Sequence, residues 1–181
     1  MREVGRGKRP RIGDVMRSAA AKAAVRLALD EDLGKPWCDA TSVALVDPKA
    51  VATGEIYSKG TGCVVAGATV AAAVLKAVDP KIRVKILKPD GSVVKPKEPI
   101  LVFRGKARSI LAAERTALNF MQRLSATATL AKKFVEATKR YKTLILDTRK
   151  TTPGLRVFEK YAVTCGGGAN HRFGMFDRVL M

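Results

Sequence analysis

"TLILDTRKTTPGLRVFEKYAVTCGGGANHRFGMFDRVLM", residues 143–181, is the stretch on which the fold class turns. Its opening apolar run ends in Asp147 and Thr148, the composition of a strand buried on both faces of a parallel sheet. Arg149 and Lys150 then set two cations at the strand tip, and Pro153-Gly154 stop the element. "LRVFEKYAVTC" (155–165) has amphipathic helical spacing and is ended by three glycines, 166–168. "NHRFGMFDRVLM" reads as a loop leading into a second apolar strand. Strand, loop, helix, loop and strand make one βαβ unit, in which loops at the carboxyl ends of strands carry the ligand. On this spacing Arg149 and Lys150 follow the first strand, whereas His171 and Arg172 precede the second and arrive at its opposite end or just short of it. Spacing alone does not bring the two pairs together. The glycines would allow a close approach of backbone to ligand.

Upstream the pattern is looser. Residues 14–34 read as one amphipathic helix ended by Gly34 and Pro36, and 68–78 as a helix stopped at Asp79-Pro80. "ATGEIYSKGTGCVVAG" (52–67) reads as two strands joined by a glycine-containing turn. "KIRVKIL" and "EPILVFRG" (98–105) read as further strands, with Pro99 at a strand start where a missing donor is tolerated. Residues 108–140 are helical for longer than one ordinary helix, and Ser125 is placed to cap a second piece, giving 108–123 and 126–140. The expectation is an α/β chain in three parts. A basic flexible tail covers 1–12, an α+β domain 13–116, and the start of a parallel α/β domain 117–181.

The 181 residues include 34 Lys and Arg against 16 Asp and Glu, a formal net charge of +18. Such an excess fits a nucleic-acid partner or a site for small polyanions such as carboxylates and phosphates. Aromatic residues make up only 6 %, and none are interleaved with cations as a base-stacking surface requires, so nucleic acid is the weaker reading. Hydrophobic residues make up 47 %, which supports a sizeable core and excludes a disordered chain. Cys38, Cys63 and Cys165 are odd in number and far apart, which points to reduced thiols in a cytoplasmic protein rather than a disulfide framework or zinc site. No apolar run is long enough to span a membrane. Each polar feature also has a plainer role: the 148–154 loop as a solvated connection, His171 as a structural group, Arg115 as a surface helix cation, and Asp147 as a cap.

Taken together and in order, these features resemble the signature of quinolinate phosphoribosyltransferase, the nicotinate-nucleotide pyrophosphorylase family. That family carries D-T-R-K-T-x-P-G-x-R, about ten helical residues, then G-G-x-x-N-H-R. "LDEDLGKPWCDATS" (29–42), "GCVVAG" (62–67) and "ERTALNFMQRLSATAT" (114–129) are similar to its other motifs, with Ala126 where the family has Gly. The resemblance implies an N-terminal α/β sandwich domain followed by an incomplete α/β barrel with the active site at its mouth. It also implies decarboxylating transfer of phosphoribosyl from phosphoribosyl pyrophosphate, with Mg²⁺, to quinolinate. Thr148, Arg149, Lys150, His171 and Arg172 are then substrate-binding residues, none a covalent nucleophile. Arg115 is expected to reach a neighbouring subunit's pocket in a homodimer or higher homo-oligomer. The family's Lys-Asp-Asn-His segment and its acidic metal and ribose residues have no match before Met181. On that ground the chain reads as an N-terminal portion, about two-thirds, and is expected to be inactive alone. A same-fold enzyme acting on another acidic ring, or a basic nucleic-acid-binding fragment, remain the alternatives.

Overall fold

The computed structural model describes residues 12–179. The expected basic tail lies outside the described residues except for its last position, and so do residues 180 and 181. The helix expected over 14–34 is two helices, α1 (Ile12–Arg17) and α2 (Ala19–Leu33). Ser18 separates them in an extended conformation, and its hydroxyl accepts the Ala21 N–H at 3.2 Å. A serine that can cap competes with continuing the helix, and here the cap wins. Ala21, Val25, Leu29 and Leu33 then form one buried line along α2.

α3 (Ala40–Leu45) leads to β1 (Val51–Tyr57), which pairs antiparallel with β5 (Pro99–Lys106); β5 in turn pairs with β3 (Arg83–Ile86). Gly54 stands opposite Phe103, and a Cβ there would lie 2.6 Å from the Phe103 ring. The two strands expected in 52–67 do not pair with each other. β2 (Cys63–Val64) instead forms a separate ribbon with β4 (Val93–Val94). Between these ribbon strands, α4 (Ala68–Val78) buries Val70, Ala71, Val74 and Leu75 in the common core.

The break expected at Ser125 is absent. α5 runs unbroken from Ala107 to Thr138, 32 residues or about 48 Å at the standard rise. The Ser125 hydroxyl is engaged elsewhere, accepting the Ala66 N–H and donating to the Ala66 carbonyl, both at 3.1 Å. Thr129 likewise accepts the Val64 N–H at 2.9 Å. These bonds use α5 as a spine joining the N-terminal sheet layer to α6 (Arg156–Cys165). The expected 116/117 division falls inside this spine.

Residues 143–148 are not the fully buried strand that was expected. Leu144 and Leu146 stay 58 % and 36 % exposed, and the segment makes one parallel bridge, Leu146 to Ala169. A strand is covered on both faces only when neighbours and helices flank it, and the described residues supply one short partner. The second strand expected in the final apolar run falls partly outside the described residues, and 178 and 179 are not in a strand. The parallel partner is Ala169, while Asp177 folds 173–177 back by accepting the Phe173 and Gly174 N–H groups at 2.7 and 3.0 Å. No closed barrel is formed among the described residues, and the fold is mixed α/β.

Candidate active site

The parallel bridge decides how the two basic motifs meet. Asp147 donates its N–H to the Ala169 carbonyl at 3.0 Å, and Ala169 donates to the Ile145 carbonyl at 2.9 Å. Arg149 and Arg172 therefore each lie three residues beyond a bridged position on strands of the same direction. They leave at the same end, not the opposite end expected from spacing, because the pairing segment is 169 and lies before the His-Arg motif rather than after it.

The triple glycine makes this geometry possible through contact as well as conformation. A Cβ on Gly166 would sit 2.3 Å from the Ala128 carbonyl of α5, and one on Gly168 would sit 2.7 Å from Val163 and 3.2 Å from the Ile145 carbonyl. Gly167 adopts φ 93°, a left-handed conformation that favours glycine.

The loop after Asp147 is held from α6 and α5. The Thr148 hydroxyl accepts the Lys150 N–H at 2.9 Å, and both side chains are exposed. One guanidinium ties the two motifs together: Arg156 donates to the Thr151 hydroxyl at 3.1 Å, the Arg149 carbonyl at 3.3 Å and the Phe173 carbonyl at 3.1 Å. Glu159 accepts the Thr152 hydroxyl at 2.6 Å and its N–H at 3.1 Å, with Arg123 3.3 Å away. Burial pushes the Glu159 carboxyl up, but the Thr152 and Arg123 donors outweigh it and leave it below the usual range. It is an ionised loop anchor and not a proton donor.

Arg149 is half-buried, and its Nε is the one buried side-chain nitrogen or oxygen without a partner among the described residues. A buried donor left unpaired costs about 1–3 kcal/mol, which an anionic ligand at this end of the sheet would recover. His171 and Arg172 are also half-buried. Arg115 is not part of this group. It is exposed on α5 in a separate cleft of about 870 Å³, lined also by Glu55, Tyr57, Lys59, Gln122 and Lys133.

Lys160 was not singled out in the sequence. Lys160, on the apolar face of α6 with Phe158, Tyr161 and Ala162, is 2 % exposed and forms an ion pair with Asp147, itself 4 % exposed. The signal was a lysine inside an apolar helical stripe one short loop after an acid-tipped strand. Cys165 is no nucleophile, since burial pushes its thiol up to about 11.

Carboxylates offer no metal centre here. Among the described residues no group of three His, Cys, Asp or Glu could hold an ion, and Asp147 and Glu159 are both engaged by cations.

Two family models match, the quinolinate phosphoribosyl transferase N-terminal domain over residues 39–125 and the C-terminal domain over 127–181. The chain belongs to the quinolinate phosphoribosyl transferase family. It is 42 % identical over 160 residues to the chloroplastic nicotinate-nucleotide pyrophosphorylase [carboxylating] of Oryza sativa subsp. japonica, covering 88 % of this chain and 42 % of that protein. The Mycobacterium leprae nicotinate-nucleotide pyrophosphorylase [carboxylating] is 42 % identical over 164 residues, covering 90 % and 57 %. Among solved structures, NadC from Streptococcus pyogenes superposes with a TM-score of 0.82 at 37 % identity, over 87 % of this chain and 55 % of that one. The Francisella tularensis nicotinate-nucleotide pyrophosphorylase gives 0.81 at 40 % identity, with the same coverage. The chain thus spans about half the length of the relatives it matches. The two quinolinate phosphoribosyl transferase domain matches meet inside α5, the helix that joins the sheet layer to the candidate site.

Proposed function

We propose that these residues belong to a pentosyltransferase, a nicotinate-nucleotide diphosphorylase (carboxylating), that joins phosphoribosyl pyrophosphate and quinolinate to give nicotinate mononucleotide, pyrophosphate and CO₂ in NAD biosynthesis. The observation that carries this reading is the shared end of the Arg149 and His171-Arg172 segments, with the buried Arg149 Nε lacking a partner. Quinolinate presents two adjacent carboxylates, and removing them from water requires fixed cationic donors. Arginine grips a carboxylate through a planar fork, at about 1.5–3 kcal/mol per charge-assisted bond.

In the reaction the pyridine nitrogen forms its bond to ribose C1 as the C1–oxygen bond breaks and pyrophosphate leaves with the electron pair. The bond from ring carbon 2 to its carboxylate then breaks and CO₂ departs. The electron pair left on that carbon is stabilised by the adjacent cationic nitrogen until a proton arrives from water. Arg149, His171 and Arg172 hold the dicarboxylate, and Thr148 and Lys150 supply donors at the loop where phosphate or carboxylate oxygens lie. The protein's part is positioning and electrostatic complementarity without a covalent nucleophile. Mg²⁺ would enter with phosphoribosyl pyrophosphate, whose phosphates would supply part of its oxygen ligands beside the acidic residues that the family resemblance implies.

The separate cleft around Arg115 supports a homodimer in which Arg115 serves a partner's site, since within one chain it lines a cleft that includes none of the other site residues. We assign the enzyme to the cytoplasm, although the family includes chloroplastic and mitochondrial members. Among the described residues no helix is long and apolar enough to cross a membrane. The test is a chimera in which residues 13–181 replace the matching segment of the Mycobacterium leprae relative. Release of labelled CO₂ from carboxyl-labelled quinolinate should require phosphoribosyl pyrophosphate. A folded chimera that releases none would overturn the reading.

A further inference from the structure

The pair formed by Asp147 and Lys160 is the most deeply buried charge cluster beside the site, and the reaction makes no direct use of it. Burying an ion pair is a poor route to stability, because desolvation offsets the attraction and an apolar pair of similar volume often does as well. What distinguishes this pair is where its remaining bonds go. Asp147 Oδ1 accepts the His171 N–H at 2.8 Å, and Lys160 Nζ donates to the Arg172 carbonyl at 3.2 Å. Asn170, with its amide nitrogen turned toward these acceptors, donates to Asp147 Oδ2 at 2.8 Å and to the Lys160 carbonyl at 3.1 Å. All three residues of the Asn-His-Arg motif are therefore bonded to one or other member of the pair.

The backbone gives that motif little else. Its ladder contact ends at the single Ala169 bridge, and among the described residues no backbone–backbone hydrogen bond fixes 170–172. One bridge sets where a chain begins to diverge but not its direction beyond. We propose that the Asp147–Lys160 pair is a positioning device that fixes His171 and Arg172 against Arg149, and so sets the spacing of the dicarboxylate site. The proposal rests on the anion-site reading for its consequence, though not for its geometry. Asp147 is at once the last residue before the Thr-Arg-Lys loop and the acceptor for the His-Arg segment. A displacement of the pair would move both halves of the site relative to each other, and an error of about 1 Å in such an arrangement can cost about 10²-fold.

The test uses two charge-free double variants of the 181-residue chain. Asp147→Leu with Lys160→Met removes both the charges and the acceptor for His171. Asp147→Asn with Lys160→Met removes the charges and keeps an acceptor. Melting temperature, amide hydrogen exchange at His171 and Arg172, and quinolinate affinity by calorimetry are read for each. If the pair only stabilised the fold, the two variants would behave alike in exchange and affinity. As a positioning device, the Leu/Met variant should melt near the parent temperature. Its His171 amide should exchange at least about tenfold faster, and it should bind quinolinate at least about tenfold more weakly. The Asn/Met variant should keep His171 protected and lose severalfold in affinity. Parent-like exchange and affinity in Leu/Met overturn the proposal. If Leu/Met does not fold, parent-like affinity in Asn/Met overturns it, and the stated severalfold loss supports it. Should the parent chain itself not bind quinolinate, the functional reading fails while the exchange comparison still decides the pair.

Discussion

Replacing Gly166 by alanine adds one methyl group where α6 meets the α5 backbone. The glycine sits at φ −76°, which any residue adopts, so the backbone itself is not strained. In the unfolded state the change even favours folding by about 0.4–1 kcal/mol. The obstacle is contact: the new Cβ would lie 2.3 Å from the Ala128 carbonyl oxygen, 2.8 Å from the Ala131 Cβ and 2.9 Å from the Lys132 nitrogen. Carbon-to-carbonyl contacts relax near 3.3 Å, so the end of α6 must retreat by about 1 Å. Overpacking of this kind costs about 1–3 kcal/mol, and the net loss of about 1–2 kcal/mol lowers the melting temperature by about 2–8 °C in a chain of this size. The same retreat pulls Ala169 and the His-Arg segment from Arg149, so quinolinate affinity should fall by about 10²-fold. Thermal unfolding by circular dichroism and calorimetric titration read both effects. Gly60→Ala, where a Cβ meets only the Ser58 hydroxyl at 3.8 Å, is the control. A Gly166→Ala chain that melts within about one degree of the parent and binds like it refutes the close approach.

Asp90 gives a pH test. Burial raises its carboxyl above the usual range, opposed in part by donors from Ala68, Tyr161 and Gly67. Between the unfolded value, about 3.9, and the raised folded value, the folded carboxyl holds a proton the unfolded one has shed, so its contribution falls as pH rises through that window. The advantage of Asp90→Asn over the parent in urea unfolding should therefore grow from acid to neutral pH; a constant difference would show that Asp90 is not penalised by burial. Arg149→Lys, assayed in the chimera, should leave the fold intact and lower turnover by about 10²–10³-fold, because an ammonium cannot reproduce the bidentate fork. Near-parent kinetics would return Arg149 to a solvated loop. Arg115→Ala and Arg149→Ala chimeras should each dimerise and be nearly inactive, yet recover activity when mixed. With random exchange half the dimers are mixed and each has one complete site of two, so about a quarter of all sites recover. No recovery after demonstrated exchange would place Arg115 in its own subunit's site or on the surface.

The elements whose burial is set by their own periodicity were legible in the sequence. α4 came out at 68–78, β5 within one residue, and α6 as read except that it starts one residue later. The errors lie where a distant partner decides. Ser125 has the chemistry of a cap, but Ala66, 59 residues away in sequence, takes its hydroxyl and lets α5 continue. The bridge at Ala169 was not foreseen, and it forms because the glycines let Ala169 approach Ile145. At the candidate site, Arg149, His171 and Arg172 stood out as candidates from residue type and motif order, but the common end of their segments did not, because it depends on that register. Lys160 escaped notice since a helical lysine ordinarily faces water, and only the fold shows Asp147 waiting for it. Arg156 escaped similarly, as its role is to join two backbone carbonyls from different loops.

The central claim is that Arg149, His171 and Arg172 form one site for two adjacent carboxylates. Calorimetric titration of the protein with quinolinate, phthalate and nicotinate tests it directly, since phthalate keeps both carboxylates without the ring nitrogen and nicotinate keeps only one. Quinolinate and phthalate should bind competitively at one site. Nicotinate should bind at least about tenfold more weakly for the loss of one charge-assisted carboxylate contact, and Arg149→Ala should abolish the difference. Equal binding of all three, or a preference that survives Arg149→Ala, would contradict the account.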